Sequence, residues 1–203
     1  MINNILLILI IILIVFGYSY IFILYISNKD KSIKTTSYEI SLELLNDDTS
    51  IRLVEKKSSY FSTYSIRRNM IKLSSKTYYG EDVFSCFVGS FLSGYEIVNN
   101  KYISILGKIF KNLRIISFAP IILLIINILT TNQTDAKIAI IITLLIGIYQ
   151  YILYDIHKEI LDVTSTIDKK IRLVFNKMLT IDKMFFITSL IAILRFVIII
   201  LNI

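Results

Sequence analysis

The run from Ile5 to Ile26, ILLILIIILIVFGYSYIFILYI, constrains this chain more than any other stretch. At about 1.5 Å of rise per residue it makes a helix of about 33 Å, enough to cross the hydrocarbon core of a bilayer. The preceding MINN carries no charged side chain, and no small-x-small cleavage site follows. The run therefore reads as a signal-anchor and not as a cleavable leader. Three further apolar runs follow, Ile115–Leu129, Ile138–Tyr154 and Met184–Ile203. The second and third are joined by the polar turn TTNQTDAK at 130–137, so they read as a helical hairpin. A hydrophobic share of 55% and a mean hydropathy of +0.70 agree with a membrane protein and not with an ordinary soluble domain.

Charge orients the runs. Residues 28–114 hold 14 Lys and Arg, and residues 155–183 hold 6. The hairpin turn holds only Lys137. Basic residues collect on the cytoplasmic side of membrane spans, so both polar segments are expected in the cytoplasm and the N-terminus outside. The same flanking pattern accounts for the net charge of +7. No basic stripe with interleaved aromatics stands apart from the runs, which argues against nucleic acid as a partner.

The expected fold class is an α+β membrane protein with four transmembrane helices and a small cytoplasmic insert. The expected boundaries are 1–27 for the anchor, 28–114 for the insert, 115–154 for the hairpin, 155–183 for a polar helical segment and 184–203 for the last span. Within the insert, Thr36 or Ser37 can cap a helix through SYEISLELL. Strand-forming pieces follow at 50–56, 60–65 and 69–74. A helix is predicted over 81–98, opened by the acidic pair Glu81-Asp82. On that helix Val83, Phe87, Phe91 and Tyr95 recur every four residues beside a second row of Phe84, Val88 and Leu92, an apolar stripe two rows wide.

Few residues in the chain have chemistry to offer. With Cys86 as the sole cysteine and His157 as the sole histidine, neither an internal disulfide nor a two-histidine metal motif is available. Asp155, His157 and Glu159 alternate, and on a helix such neighbours point about 200° apart, so they do not converge on one ion. His157 reads as a polar residue at the cytoplasmic end of the third span. Tyr95 and Glu96 are about 100° apart and make no acid–base pair. Cys86 lies among aromatics and reads as a small core residue. Arg195 falls in the middle of the last apolar run, where a charge normally faces a partner, and Asn127 in the second run is the expected polar contact. No acid lies within any run, which argues against an ion or substrate pathway.

One family resemblance bears on the insert. Tyr64, Arg67, Leu73-Ser74, Tyr78 and Gly80 occur with the spacing found in the YugP-like membrane-anchored bacterial zinc metallopeptidases, and the order of anchor, insert, hairpin, polar stretch and last span is similar too. The resemblance implies a zincin-like α-β-β-α insert. In that family an H-E-x-x-H helix follows, in which two imidazoles one turn apart hold zinc and the glutamate activates its water. Those places fall here on Phe91, Leu92 and Tyr95, and only Gly94 of the motif is kept. Ser62, Thr63 and Ser65 replace polar members of an upstream segment, and Asp155 takes the place of a third ligand. Zinc, expected in active relatives, is predicted absent here. The chain is thus expected to be a non-catalytic relative in the bacterial cytoplasmic membrane, with the lipid bilayer and a membrane protein as partners. The alternatives are a divergent active metallopeptidase with non-standard ligands, such as Asp155, His157, Glu96 or Glu159, and an unrelated small membrane scaffold.

Overall fold

The computed structural model describes residues 2–45, 52–57, 62–98, 101–109, 114, 116–164 and 167–201. Helices dominate, and a small three-stranded sheet is the only other regular structure among the described residues. The helices are α1 (Ile2–Asn28), α2 (Ser37–Leu45), α3 (Ser75–Tyr78), α4 (Val83–Ile97), α5 (Lys101–Ile109), α6 (Ala119–Leu129), α7 (Gln133–Val163) and α8 (Lys169–Leu201). The strands are β1 (Arg52–Lys56), β2 (Thr63–Ser65) and β3 (Met70–Ser74). The expected strand starts at 50 and 60, the start of the second apolar run at 115 and the end of the last at 203 lie outside the described residues.

Among the described residues three helices, α1, α7 and α8, are long and apolar enough to cross a membrane. The second apolar run differs from expectation. Its helix α6 has 11 residues, about 16 Å, which is short of a bilayer core. Residues 155–163 and 169–183, read as a separate polar segment, instead prolong α7 and open α8.

The chain divides into two compact units. The first comprises Met1–Phe22, Ser117–Asp155 and Leu179–Ile203. Ile10, Ile14, Leu123, Ala136, Ala139, Ala192, Phe196 and Ile199 form its core. Small alanines on α7 and α8 let the helices approach, as membrane bundles require. Its outer surface is as apolar as its core: Ile5, Ile8, Ile12, Phe16, Ile125, Ile141, Leu145 and Leu194 are exposed. Polar groups lie inside, among them Asn127, Thr143, Ser189 and Arg195. A greasy exterior over a partly polar interior suits hydrocarbon as solvent.

The second unit comprises Ile23–Ile116 and Ile156–Met178. Its sheet has the order β1-β3-β2, with β1 parallel and β2 antiparallel to β3. Helix α2 opens with a capping box: Glu39 N donates to Thr36 Oγ1 at 3.2 Å and Thr36 N to a Glu39 carboxylate oxygen at 2.8 Å. That backbone bond holds the Glu39 carboxyl below its usual range. The cap therefore strengthens above the unfolded carboxylate pKa and weakens as pH falls through the folded one. Helix α4 starts at Asp82, whose carboxylate accepts from Ser85 N at 2.9 Å and Ser85 Oγ at 2.6 Å. Nearly every residue of α4 is buried, so it is the central helix of this unit. Its small residues explain how. A methyl group added at Gly89 would collide with Ser37 Oγ and come within 3.0 Å of the Ser37 carbonyl, so α2 can cross here only over a glycine.

Candidate functional site

Phe91, Leu92 and Tyr95, the positions on which the expected motif falls, lie in an aromatic cluster on α4. Phe91 and Tyr95 lie one turn apart on α4, with Leu92 between them, and all three are at most 1% exposed. The Phe91 ring meets His157 edge-on at 4.6 Å and Tyr95 edge-on at 5.4 Å, and it stacks on Phe175 at 5.6 Å. Phe87, a turn earlier, packs against both Phe91 and Phe175. These contacts join α4 to the end of α7 and the start of α8, and they extend the i, i+4 row that the sequence displays.

Two polar pairs border the cluster. Tyr95 Oη and His157 Nε2 are 2.7 Å apart, a buried hydrogen bond between residues 62 apart in the chain. His157 is 4% exposed and so is part of the packed interior, not a polar residue at a helix end. The Tyr64 ring from β2 stacks on Tyr95 at 6.2 Å, and its hydroxyl donates to the Glu96 carboxylate. Burial, and then the Glu96 carboxylate, push the Tyr64 phenol well above its usual pKa, so it stays a donor at neutral pH. Glu96 is thus engaged with Tyr64, and Asp155 belongs to the other compact unit. On α7 Asp155 precedes His157 by two residues and points to another side of the helix.

This cluster does not fit a zinc ion. Phe91 and Leu92 supply no donor atom, and the Tyr95 phenol is bonded to the one imidazole nearby. Among the described residues, no group of three or more His, Cys, Asp or Glu side chains is placed to hold a metal. A cleft of about 440 Å³, bordered by Ile33, Thr35, Ile40, Glu43, Leu44, Ile167 and Asp168, includes none of the motif positions.

The sequence held no local signal for the Tyr95–His157 and Tyr64–Glu96 pairs. The one available hint was the resemblance, which draws a third ligand from the stretch after the third apolar run. Aligned there, Asp155 took the ligand's place, and the structure brings His157 to the cluster instead.

Cys86 sits at the start of the same helix, fully buried, with its thiol directed at the Thr35 carbonyl at 3.4 Å. Burial pushes this thiol up to about 12, with the Asp82 and Glu81 carboxylates adding to the effect. Only the thiolate attacks an alkylating reagent. A maleimide is expected to label native Cys86 on the order of a thousandfold more slowly at pH 7 than after unfolding. Because Cys86 is the sole cysteine, mass spectrometry of the labelled chain reads this directly. Rapid native labelling would contradict the packing described for α4.

In the first unit Arg195 closes the end of α6. Its Nη1 donates to the Asn127 carbonyl at 2.7 Å and lies 3.3 Å from Asn127 Oδ1, while Nη2 lies 3.4 Å from the Thr130 carbonyl. The last carbonyls of a helix lack internal partners, and a cation suits that end of the dipole. A helix that ends after 11 residues, inside an apolar bundle, needs such a cap. Arg195→Met is expected to lower stability in detergent by about 2 kcal/mol, seen as a lower thermal unfolding midpoint.

Comparison with protein families, with curated proteins and with solved structures returned no match.

Proposed function

We propose that this chain is a membrane protein built on the scaffold of the YugP-like zinc metallopeptidases, with its metal-binding face filled in, and that it works by binding or regulating a membrane partner. One observation carries the reading. Residues 91 and 95, which take the places of the two motif histidines, meet residue 157, from the stretch of α7 that takes the place of the third ligand. In an active relative the two histidine places and a ligand from this stretch of α7 would converge on an ion; Asp155, aligned with that ligand, does not join the cluster, and His157 does. Here residues 91, 95 and 157 converge on each other as phenylalanine, tyrosine and histidine. Vacant ligands left inside a fold would cost about 1–3 kcal/mol per unpaired polar group, so loss of zinc favours their replacement by apolar side chains. The stacking of Tyr64, from β2, on Tyr95 of α4 favours this reading over an unrelated helical scaffold.

On this reading the protein resides in a bacterial cytoplasmic membrane, with the N-terminus outside and the second unit in the cytoplasm, which the basic residues of 28–114 favour. It needs no zinc and does not bind nucleic acid. The test is a peptidase assay on the full-length protein purified in detergent, using a mixed peptide library with and without a chelator. No cleavage above a buffer control is expected. Cleavage that the chelator abolishes would overturn the proposal in favour of the divergent active enzyme.

A further inference from the structure

We propose that the exposed face of α5 is an interfacial anchor that lies on an anionic phospholipid surface. Helix α5 is strongly amphipathic. Ile103 and Leu106 are buried beneath it, whereas Ile105 and Ile109, one turn apart on its other side, are 48% and 67% exposed. Lys108 is exposed between them. Branched aliphatic side chains left open beside a basic residue are poorly suited to water. They suit the boundary between headgroups and acyl chains, where isoleucine enters the hydrocarbon and lysine reaches back to phosphate.

Three further observations select an anionic lipid surface as the occupant. First, the basic charge around this face is not confined to α5. Arg67, in the turn 66–68, donates from Nη2 to the Lys108 carbonyl at 3.3 Å, which sets its guanidinium at the C-terminal end of α5, and Arg68 beside it is exposed. Second, no acidic residue occurs between Glu96 and Asp135, so every charged side chain in the stretch that holds α5 is basic. Third, the chain runs from α5 into the apolar helix α6 through residues 110–118, a tether of at most about 36 Å. A helix joined within nine residues to an apolar helix of the hydrocarbon-suited unit meets a bilayer surface at high effective concentration. A nucleic acid would also satisfy the arginines and the lysine, but it would leave the two isoleucines in water.

The protein has no tryptophan, so Ile109→Trp makes a single reporter at an exposed position. The full-length variant is reconstituted into phosphatidylcholine vesicles with and without phosphatidylglycerol, using lipids brominated near the headgroup end of the acyl chains. In the anionic vesicles the emission should be blue-shifted, and bromine should quench more than half of it. Each basic side chain near an anionic surface is worth about fivefold in binding. Replacing Arg67, Arg68 and Lys108 together with glutamine, or omitting phosphatidylglycerol, should therefore relieve most of the quenching. Water-like, unquenched emission in anionic vesicles would overturn the proposal. So would blue-shifted emission that bromine does not quench, which would place a second copy or another protein on this face. Quenching that is equal in neutral vesicles and in the glutamine variant would overturn the role of the basic side chains.

Discussion

Leu92→Glu is expected to be strongly destabilising, although on the proposed scaffold it would supply the motif's glutamate. Leu92 is fully buried on a helix whose neighbouring turns are aromatic. A carboxylate there would be taken out of water into a helix packed with aromatic rings. Burying an unpaired carboxylate costs about 4 kcal/mol or more, a large part of the whole stability of a small unit. The sign with pH follows from burial, which raises the carboxyl pKa in the folded state. The penalty is smallest below the ordinary carboxylate pKa, where the group is neutral in both states. It grows as pH rises and is complete above the raised, folded pKa. Thermal unfolding of the variant in detergent across this range should show the steepest loss toward neutral pH. A variant as stable as the parent at pH 7 would mean that the glutamate finds a partner the aromatic cluster does not offer.

Phe91→Ala is expected to cost about 3–5 kcal/mol, the range for removing a fully buried aromatic ring. Phe91 touches Phe87, Tyr95, His157 and Phe175, so its loss opens the seam where α4 meets the end of α7 and the start of α8. Phe91→Leu, which keeps most of the volume, should cost about 1.5 kcal/mol or less. The contrast between the two, measured by denaturant or thermal unfolding, separates packing from chemistry. If both variants were equally and mildly affected, Phe91 would not be a packed core residue and the site would be open.

Much of the second unit could be read from local pattern. The four-residue recurrence of Val83, Phe87, Phe91 and Tyr95, opened by an acidic pair, placed a helix over 81–98, and α4 runs from Val83 to Ile97 with Asp82 as its cap. The hydroxyls near 36 and the apolar spacing of Ile40, Leu44 and Leu45 placed α2. The strands fall within the β-forming pieces, but nothing local announces that β1 pairs in parallel with β3 while β2 takes the far edge. Such pairings depend on how the intervening chain returns, not on period-two alternation. The membrane runs were legible as hydropathy but not as lengths. Apolarity alone cannot say that α6 would stop at 11 residues, a geometry that uses the Arg195 cap. The candidate site was legible as an apolar face and silent as a cluster. Tyr95 meets His157 across 62 residues, and no spacing rule joins residues at that distance.

The central claim is that the face of α4 bearing Phe91 and Tyr95, which on the proposed scaffold would grip an ion, is closed by aromatic packing. Metal analysis of the full-length protein tests it most directly, after purification without chelator and dialysis against trace zinc. The account predicts far less than one zinc per chain, unchanged in Tyr95→Phe. One tightly held zinc per chain, lost on substitution of Tyr95 or His157, would contradict it.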